Sequence, residues 1–101
     1  MKSFSISFLL FVLLTQNAVF AQTSNLETLF RNFQHFDLRD ELTKHKNDSS
    51  NEVLFYQGAI ANLFDDTKKS TKLLQKYIKK ADKNSIHLVD AYELLADNYT
   101  K

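Results

Sequence analysis

The run Val53-Leu54-Phe55-Tyr56-Gln57-Gly58-Ala59-Ile60-Ala61-Asn62-Leu63-Phe64 constrains the chain more than any other stretch. Only Gln57 and Asn62 are clearly polar in it. A helix that is apolar nearly all round must be covered on more than one side, so this run reads as the centre of a packed helical array. Gly58 is the only glycine in the chain, and there is no proline. Tight hairpin turns need glycine or asparagine pairs, so a β-rich fold is disfavoured. In a helix Gly58 costs about 1 kcal/mol against alanine. Its use there is close approach of a neighbouring helix, helped by Ala59 and Ala61.

The start of the chain reads differently. Lys2 is followed by an apolar stretch from Phe4 to Leu14, then by Ala18-Val19-Phe20-Ala21. That pattern predicts a secretory signal peptide over residues 1–21, cleaved between Ala21 and Gln22. The apolar core is too short for a membrane helix, which needs about 20 residues, so no stable span is expected after cleavage. The expected location is periplasmic or extracellular. The chain has no cysteine, hence neither a lipid-anchoring cysteine nor a disulfide. Removing Lys2 from the 13 basic residues leaves them equal to the 12 acidic ones. Balanced charge does not point to nucleic acid as partner. The remaining domain, 22–101, can bury only a marginal core.

Ser24-Asn25-Leu26-Glu27 forms a capping box, followed at helical spacing by Leu26, Leu29, Phe30 and Phe33. The phase slips before Phe36, Leu38 and Leu42. The pattern predicts one helix from about Leu26 to Gln34 and a second from about Asp37 to His45, broken near His35-Phe36. One helix bent at that point is the alternative. Ser49-Ser50-Asn51-Glu52 is a second capping box, before the apolar run. Asp65-Asp66 ends that run and caps the next helix, from about Thr67 to Ala81. Leu73, Leu74, Tyr77 and Ile78 form its apolar face. Lys68, Lys72, Lys76, Lys79, Lys80 and Lys83 form a basic face, with Lys69 beside them. A link this short between two helices makes an αα-hairpin. A last helix, capped by Asn84 or Ser85, presents Leu88, Tyr92, Leu95, Ala96 and Tyr99.

Tyr92, Leu95, Ala96 and Tyr99 stand at the spacings of the first helix of a tetratricopeptide repeat. Leu54 and Gly58 match two of those positions in the earlier hairpin; Gln57 and Ala61 depart from the other two. Ser70 falls where the second helix takes a small residue. Gly58 and Ala96 lie about 38 positions apart, against about 34 for that repeat. The stretch from Asn51 to Lys101 thus resembles one and a half degenerate repeats; a generic helical bundle is the alternative. A broader resemblance rests on Phe36-Asp37-Leu38-Arg39-Asp40-Glu41-Leu42, Phe55-Tyr56-Gln57-Gly58-Ala59 and Tyr92-Glu93-Leu94-Leu95-Ala96-Asp97-Asn98-Tyr99. These segments, with the signal peptide, are similar to the N-terminal helical region of exported Bacteroidetes retropepsin-like aspartyl proteases. That family's catalytic Asp-Thr-Gly or Asp-Ser-Gly motif is missing here, because Gln57 precedes the single glycine. The resemblance implies an N-terminal fragment of an aspartic peptidase, and carries over no catalytic residue.

Other chemistry finds little support. His35, His45 and His87 do not pair at helical spacing, so no metal site is expected and the three read as surface or boundary residues. Asp65-Asp66 and Asp37-Asp40-Glu41 read as a cap and a solvated face. One glycine cannot build a phosphate loop or a nucleophile elbow. Asn47-Asp48-Ser49 and Asn98-Tyr99-Thr100 match the glycosylation triplet without a context that uses it. The lysine face lacks interleaved aromatics and reads as solvated.

The expectation is an all-α fold: antiparallel helical hairpins stacked as a short tetratricopeptide-like solenoid, preceded by a signal-peptide helix. The expected function is a non-catalytic interaction module of an exported protein, with no cofactor. The packing and interaction face is Gly58, Tyr92, Leu95, Ala96 and Tyr99, of which Tyr92, Leu95 and Tyr99 are expected to be exposed. The expected partner is another protein, a continuation of the same chain beyond Lys101, or a second copy.

Overall fold

The structure is a computed structural model that describes residues 25–101. The expected signal peptide, its expected cleavage site and Ser24 lie outside the described residues. All regular structure among the described residues is helical: α1 (residues 25–31), α2 (His35–Thr43), α3 (Asn51–Leu63), α4 (Thr67–Lys80) and α5 (Leu88–Thr100).

The apolar run makes α3 the centre. Val53, Leu54, Phe55, Tyr56, Ala59, Ile60 and Ala61 are all buried. α2 packs on α3, α4 packs on it most extensively, and α5 rests on α4 and more lightly on α3. Leu38 and Leu42 seat α2; Leu74 and Tyr77 seat α4; Ala91 and Leu95 seat α5. Burying a side chain such as Leu38 or Phe55 contributes roughly 2–3 kcal/mol, so the core rests on a short list of residues. Phe30 of α1 meets Phe55 edge-on at 5.3 Å and Tyr56 at 5.8 Å, which ties the first helix to the middle of α3.

Two helix ends share one device. At the end of α1 the Phe33 N–H bonds to the Phe30 carbonyl (3.2 Å) and the Gln34 N–H to the Leu29 carbonyl (3.0 Å). At the end of α3 the Asp65 N–H bonds to Asn62 (3.2 Å) and the Asp66 N–H to Ala61 (2.8 Å). Both are Schellman motifs, which need a left-handed residue and usually take glycine there. Here Phe33 (φ 57) and Asp65 (φ 62) take the position instead. The break between the first two helices therefore falls at residues 32–34, earlier than the expected His35-Phe36, and α1 and α2 are separate helices.

The helix starts also differ in part. Asp66 caps α4 as expected, its carboxylate accepting from the Lys69 N–H at 3.2 Å. The second capping box does not form: Ser50 sits at the cap of α3 without a side-chain bond. With Ser50 at the cap and α3 starting at Asn51, Glu52 falls at the second helical position, one short of what the box needs, and the Asp48 carboxylate takes the Ser50 N–H at 2.8 Å. α5 starts at Leu88, after neither Asn84 nor Ser85. The Asp82 carboxylate accepts from the Asn84 N–H at 2.8 Å and prolongs the turn, and His87 takes the cap position.

Candidate functional site

The expected site residues fall into two groups. Gly58 is buried, and a Cβ built there would lie 2.8 Å from Leu74 Cγ and Cδ2. Close approach to α4 is thus its structural use. Leu95 is 7% exposed and belongs to the core, which corrects its place on the expected exposed face. Tyr92 (56%) and Tyr99 (68%) are exposed, as is Ala96. The buried stripe of α5 runs through Ala91, Leu95 and Asn98, turned away from the tyrosines. Lys68, Lys72, Lys76, Lys79, Lys80 and Lys83 are all exposed, with Lys69.

Val89 (69% exposed), Tyr92, Ala96 and Tyr99 recur at intervals of three, four and three, so they form one stripe along α5. Beside it, between α4 and α5, runs a groove of about 460 Å³ lined by Gln75, Ile78, Lys79, Tyr92, Leu95, Ala96 and Tyr99. Gln75 Nε2 donates to the Tyr99 hydroxyl at 3.0 Å and fixes the ring at the groove's end. A second cleft, about 500 Å³, opens on the other side of α4. α3 forms its floor through Gln57, Ile60, Ala61 and Phe64; Arg39, Leu42, Thr43 and Lys46 form one wall, and Asp66, Lys69 and Leu73 the other. α2 and α4 both pack on α3 and not on each other, which leaves a cleft between them over α3, where Ile60 and Ala61 are buried and Phe64 is exposed.

The densest polar chemistry lies elsewhere, around His87. The sequence assigned His87 to the surface or a boundary; it is 1% exposed. Its Nε2 lies 2.5 Å from Glu27 Oε2 and its Nδ1 2.9 Å from Asp90 Oδ2. Each ring nitrogen thus faces a carboxylate oxygen. The ring stacks on Phe55 at 4.2 Å with 3° between planes. Tyr56 donates to the same Glu27 oxygen at 2.5 Å, and Arg31 Nε donates to the other at 2.6 Å. Burial opposes ionisation of Glu27; the bonds from Tyr56 and Arg31 and the charge of His87 outweigh it and hold the carboxyl below its ordinary value. Burial, and then the Glu27 carboxylate, push the Tyr56 hydroxyl up. Glu27 was read as half of a capping box, but its carboxylate is used on three side chains. The cluster joins α1, α3 and the start of α5. Each of its carboxylate–cation contacts is already made within the chain, so its chemistry is that of a clasp.

A second polar set joins α3, α4 and α5. Asn62 Nδ2 donates to Asp97 and Asn98, each at 2.8 Å; Asn98 Nδ2 donates to Ser70 Oγ at 2.9 Å; Ser70 Oγ donates to the Gly58 carbonyl at 2.7 Å. The bonds from Asn62 and Lys101 hold the Asp97 carboxyl below its ordinary value. Two signals in the sequence point to these residues. Asn98 lies seven positions after Ala91, on the buried stripe, and Asn62 interrupts an otherwise apolar run.

Among the described residues, no group of three or more His, Cys, Asp or Glu is placed to hold a metal ion, and no helix is long and apolar enough to cross a membrane. Compared with protein-family models, with curated proteins and with solved structures, the chain matches none.

Proposed function

We propose that the chain is a non-catalytic interaction module of an exported protein, acting in the periplasm or outside the cell. Its hairpins stack as a short tetratricopeptide-like solenoid, and it holds a protein segment against the exposed side of α5. The supporting observation is the stripe Val89, Tyr92, Ala96 and Tyr99 beside the α4–α5 groove. Apolar side chains aligned on one face of a helix have no use in water, and such faces mark sites where another element packs. The neighbouring Leu95 supplies an apolar floor, and the Gln75–Tyr99 bond orders one end in advance. Rigid aromatic anchors of this kind carry most of the energy of protein contacts.

A photo-crosslinking residue placed at position 92 or 96 in the producing cell tests the reading. A discrete adduct from these positions, lost when Tyr99 is changed to Lys and absent from position 80 on the lysine face, supports it. Diffuse or equal labelling from both faces would overturn it.

A further inference from the structure

We infer that the segment held against α5 is acidic: its carboxylates meet the lysines of α4 while its apolar side chains lie on Tyr92 and Tyr99. The inference rests on the interaction reading above and names the chemistry of the partner. The α4–α5 groove has two unlike walls. Tyr92, Ala96 and Tyr99 line it from α5, and Gln75, Ile78 and Lys79 line it from α4. Lys72 and Lys68 stand seven and eleven residues before Lys79, a spacing that puts all three on one side of the helix. All three are exposed, and none is ion-paired among the described residues. Lys79 joins the two features, since it belongs to the basic line and lines the groove with the tyrosines.

The described residues supply no counter-charge to this line. α4 contains no acidic residue, and its lysines at 68, 72, 76 and 80 repel one another at i, i+4. The carboxylates that flank α4 are engaged elsewhere: Asp65 with Lys101, Asp66 with the Lys69 N–H and Asp82 with the Asn84 N–H. On α5, Asp90 serves His87, and Asp97 serves Asn62 and Lys101. Glu93 is exposed, but it follows Tyr92 by one residue and so turns about 100° from it, to the side of the stripe opposite Leu95. An acidic partner relieves the repulsion among the lysines and a basic one adds to it. Charge therefore selects among segments that the tyrosines alone would hold equally. The apolar side chains of Ile78 and Leu95 in the lining favour a protein segment over a sugar or phosphate polymer, which brings no apolar side chain to them. Recognition of acidic motifs by clustered cations is a recurring mode.

The test is fluorescence anisotropy on the full chain with three labelled probes: a random glutamate–tyrosine copolymer, a lysine–tyrosine copolymer and dextran sulfate. Lys72→Glu/Lys79→Glu reverses the basic wall, and Tyr92→Ala/Tyr99→Ala strips the aromatic one. All four side chains are exposed, and unchanged helicity by circular dichroism confirms that each variant folds. The glutamate–tyrosine probe is expected to bind, and to bind about tenfold or more weakly in either variant and in high salt. Binding is expected to survive in Lys72→Arg/Lys79→Arg, and the lysine–tyrosine probe is expected not to bind. No binding of the acidic copolymer, binding undiminished by the lysine reversal, or equal binding of the two copolymers would overturn the inference. So would dextran sulfate bound as tightly and indifferent to loss of the tyrosines, which would mark an unselective anion surface. In those cases a position-92 adduct with a neutral or basic protein segment would still uphold the interaction reading, and absence of any adduct would end both.

Discussion

Removing the Glu27 carboxylate leaves Tyr56, His87 and Arg31 without their shared acceptor, so the residue scale is where this fold is most exposed to chemistry. Glu27→Gln is expected to cost about 1–3 kcal/mol at neutral pH, measured by urea denaturation, since a buried group losing its partner carries the full desolvation cost. The pH dependence has a definite sign. The carboxyl is held below its ordinary value when folded, so on acidification the unfolded chain binds the proton first. The stabilisation is complete above about pH 4.5 and is lost as pH falls through the folded value. Stability against pH should therefore fall less steeply below about pH 4.5 in Glu27→Gln than in the parent. Parallel curves would show that the clasp does not govern acid sensitivity. Phe33 and Asp65 carry the opposite expectation. Each holds a left-handed conformation that costs a non-glycine residue roughly 1–2 kcal/mol, and each side chain is exposed. Phe33→Gly and Asp65→Gly should each raise the thermal midpoint, by the equivalent of about 1 kcal/mol.

At the scale of elements, the α3–α4 contact depends on one missing methyl group. Gly58→Ala places a Cβ 2.8 Å from the branch of Leu74 and presses on the ridge that carries Ser70. Alanine's helix preference offsets about 1 kcal/mol, and the overpacking costs about 1–3 kcal/mol. Gly58→Ala is thus expected to be neutral to destabilising, and Leu74→Ala clearly destabilising through a cavity. The double variant should cost less than the sum, because the smaller side chain at 74 removes the clash. Additive values in a denaturant cycle would argue that α4 shifts away as a body. The outer face of α4 behaves in another way. Lys68, Lys72, Lys76 and Lys80 repeat at i, i+4, and like charges at that spacing repel. Lys72→Glu should raise stability by about 0.3–0.8 kcal/mol at low salt by thermal melting, with the gain shrinking as salt is added.

For the whole molecule, the helices differ in how they are retained. α3, α4 and α5 share the Asn62–Asn98–Ser70–Gly58 bonds and much of the apolar core. α1 is held by Leu26, Phe30 and the Glu27 clasp. Protonating Glu27 should release α1 before the rest. Hydrogen exchange followed by mass spectrometry, on stepwise acidification below about pH 4.5, is expected to show loss of protection at residues 25–31 while residues 53–62 stay protected. Simultaneous loss in both segments would mean that the clasp and the core unfold as one unit.

Helical class, the central place of the Val53–Phe64 run, the Asp66 cap and the close approach at Gly58 were legible in the sequence. They follow from periodicity, composition and side-chain size, which act within a few residues or through the absence of a side chain. The position of the α1–α2 break was not legible, because a Schellman turn usually announces itself by glycine and here Phe33 occupies the site. The orientation of α5 was legible only in part. Two apolar stripes compete on that helix, and the one with Tyr92 and Tyr99 resembles a repeat motif more closely. Packing chose the other: Ala91 is fully buried and the Asn98 amide donates to the Ser70 hydroxyl. The clasp was illegible for a different reason. Glu27 and His87 are 60 positions apart, and a contact between such distant side chains leaves no local pattern in either partner's neighbourhood. Local physics determined which segments are helices, and only the tertiary structure decided which charged groups those helices would bury together.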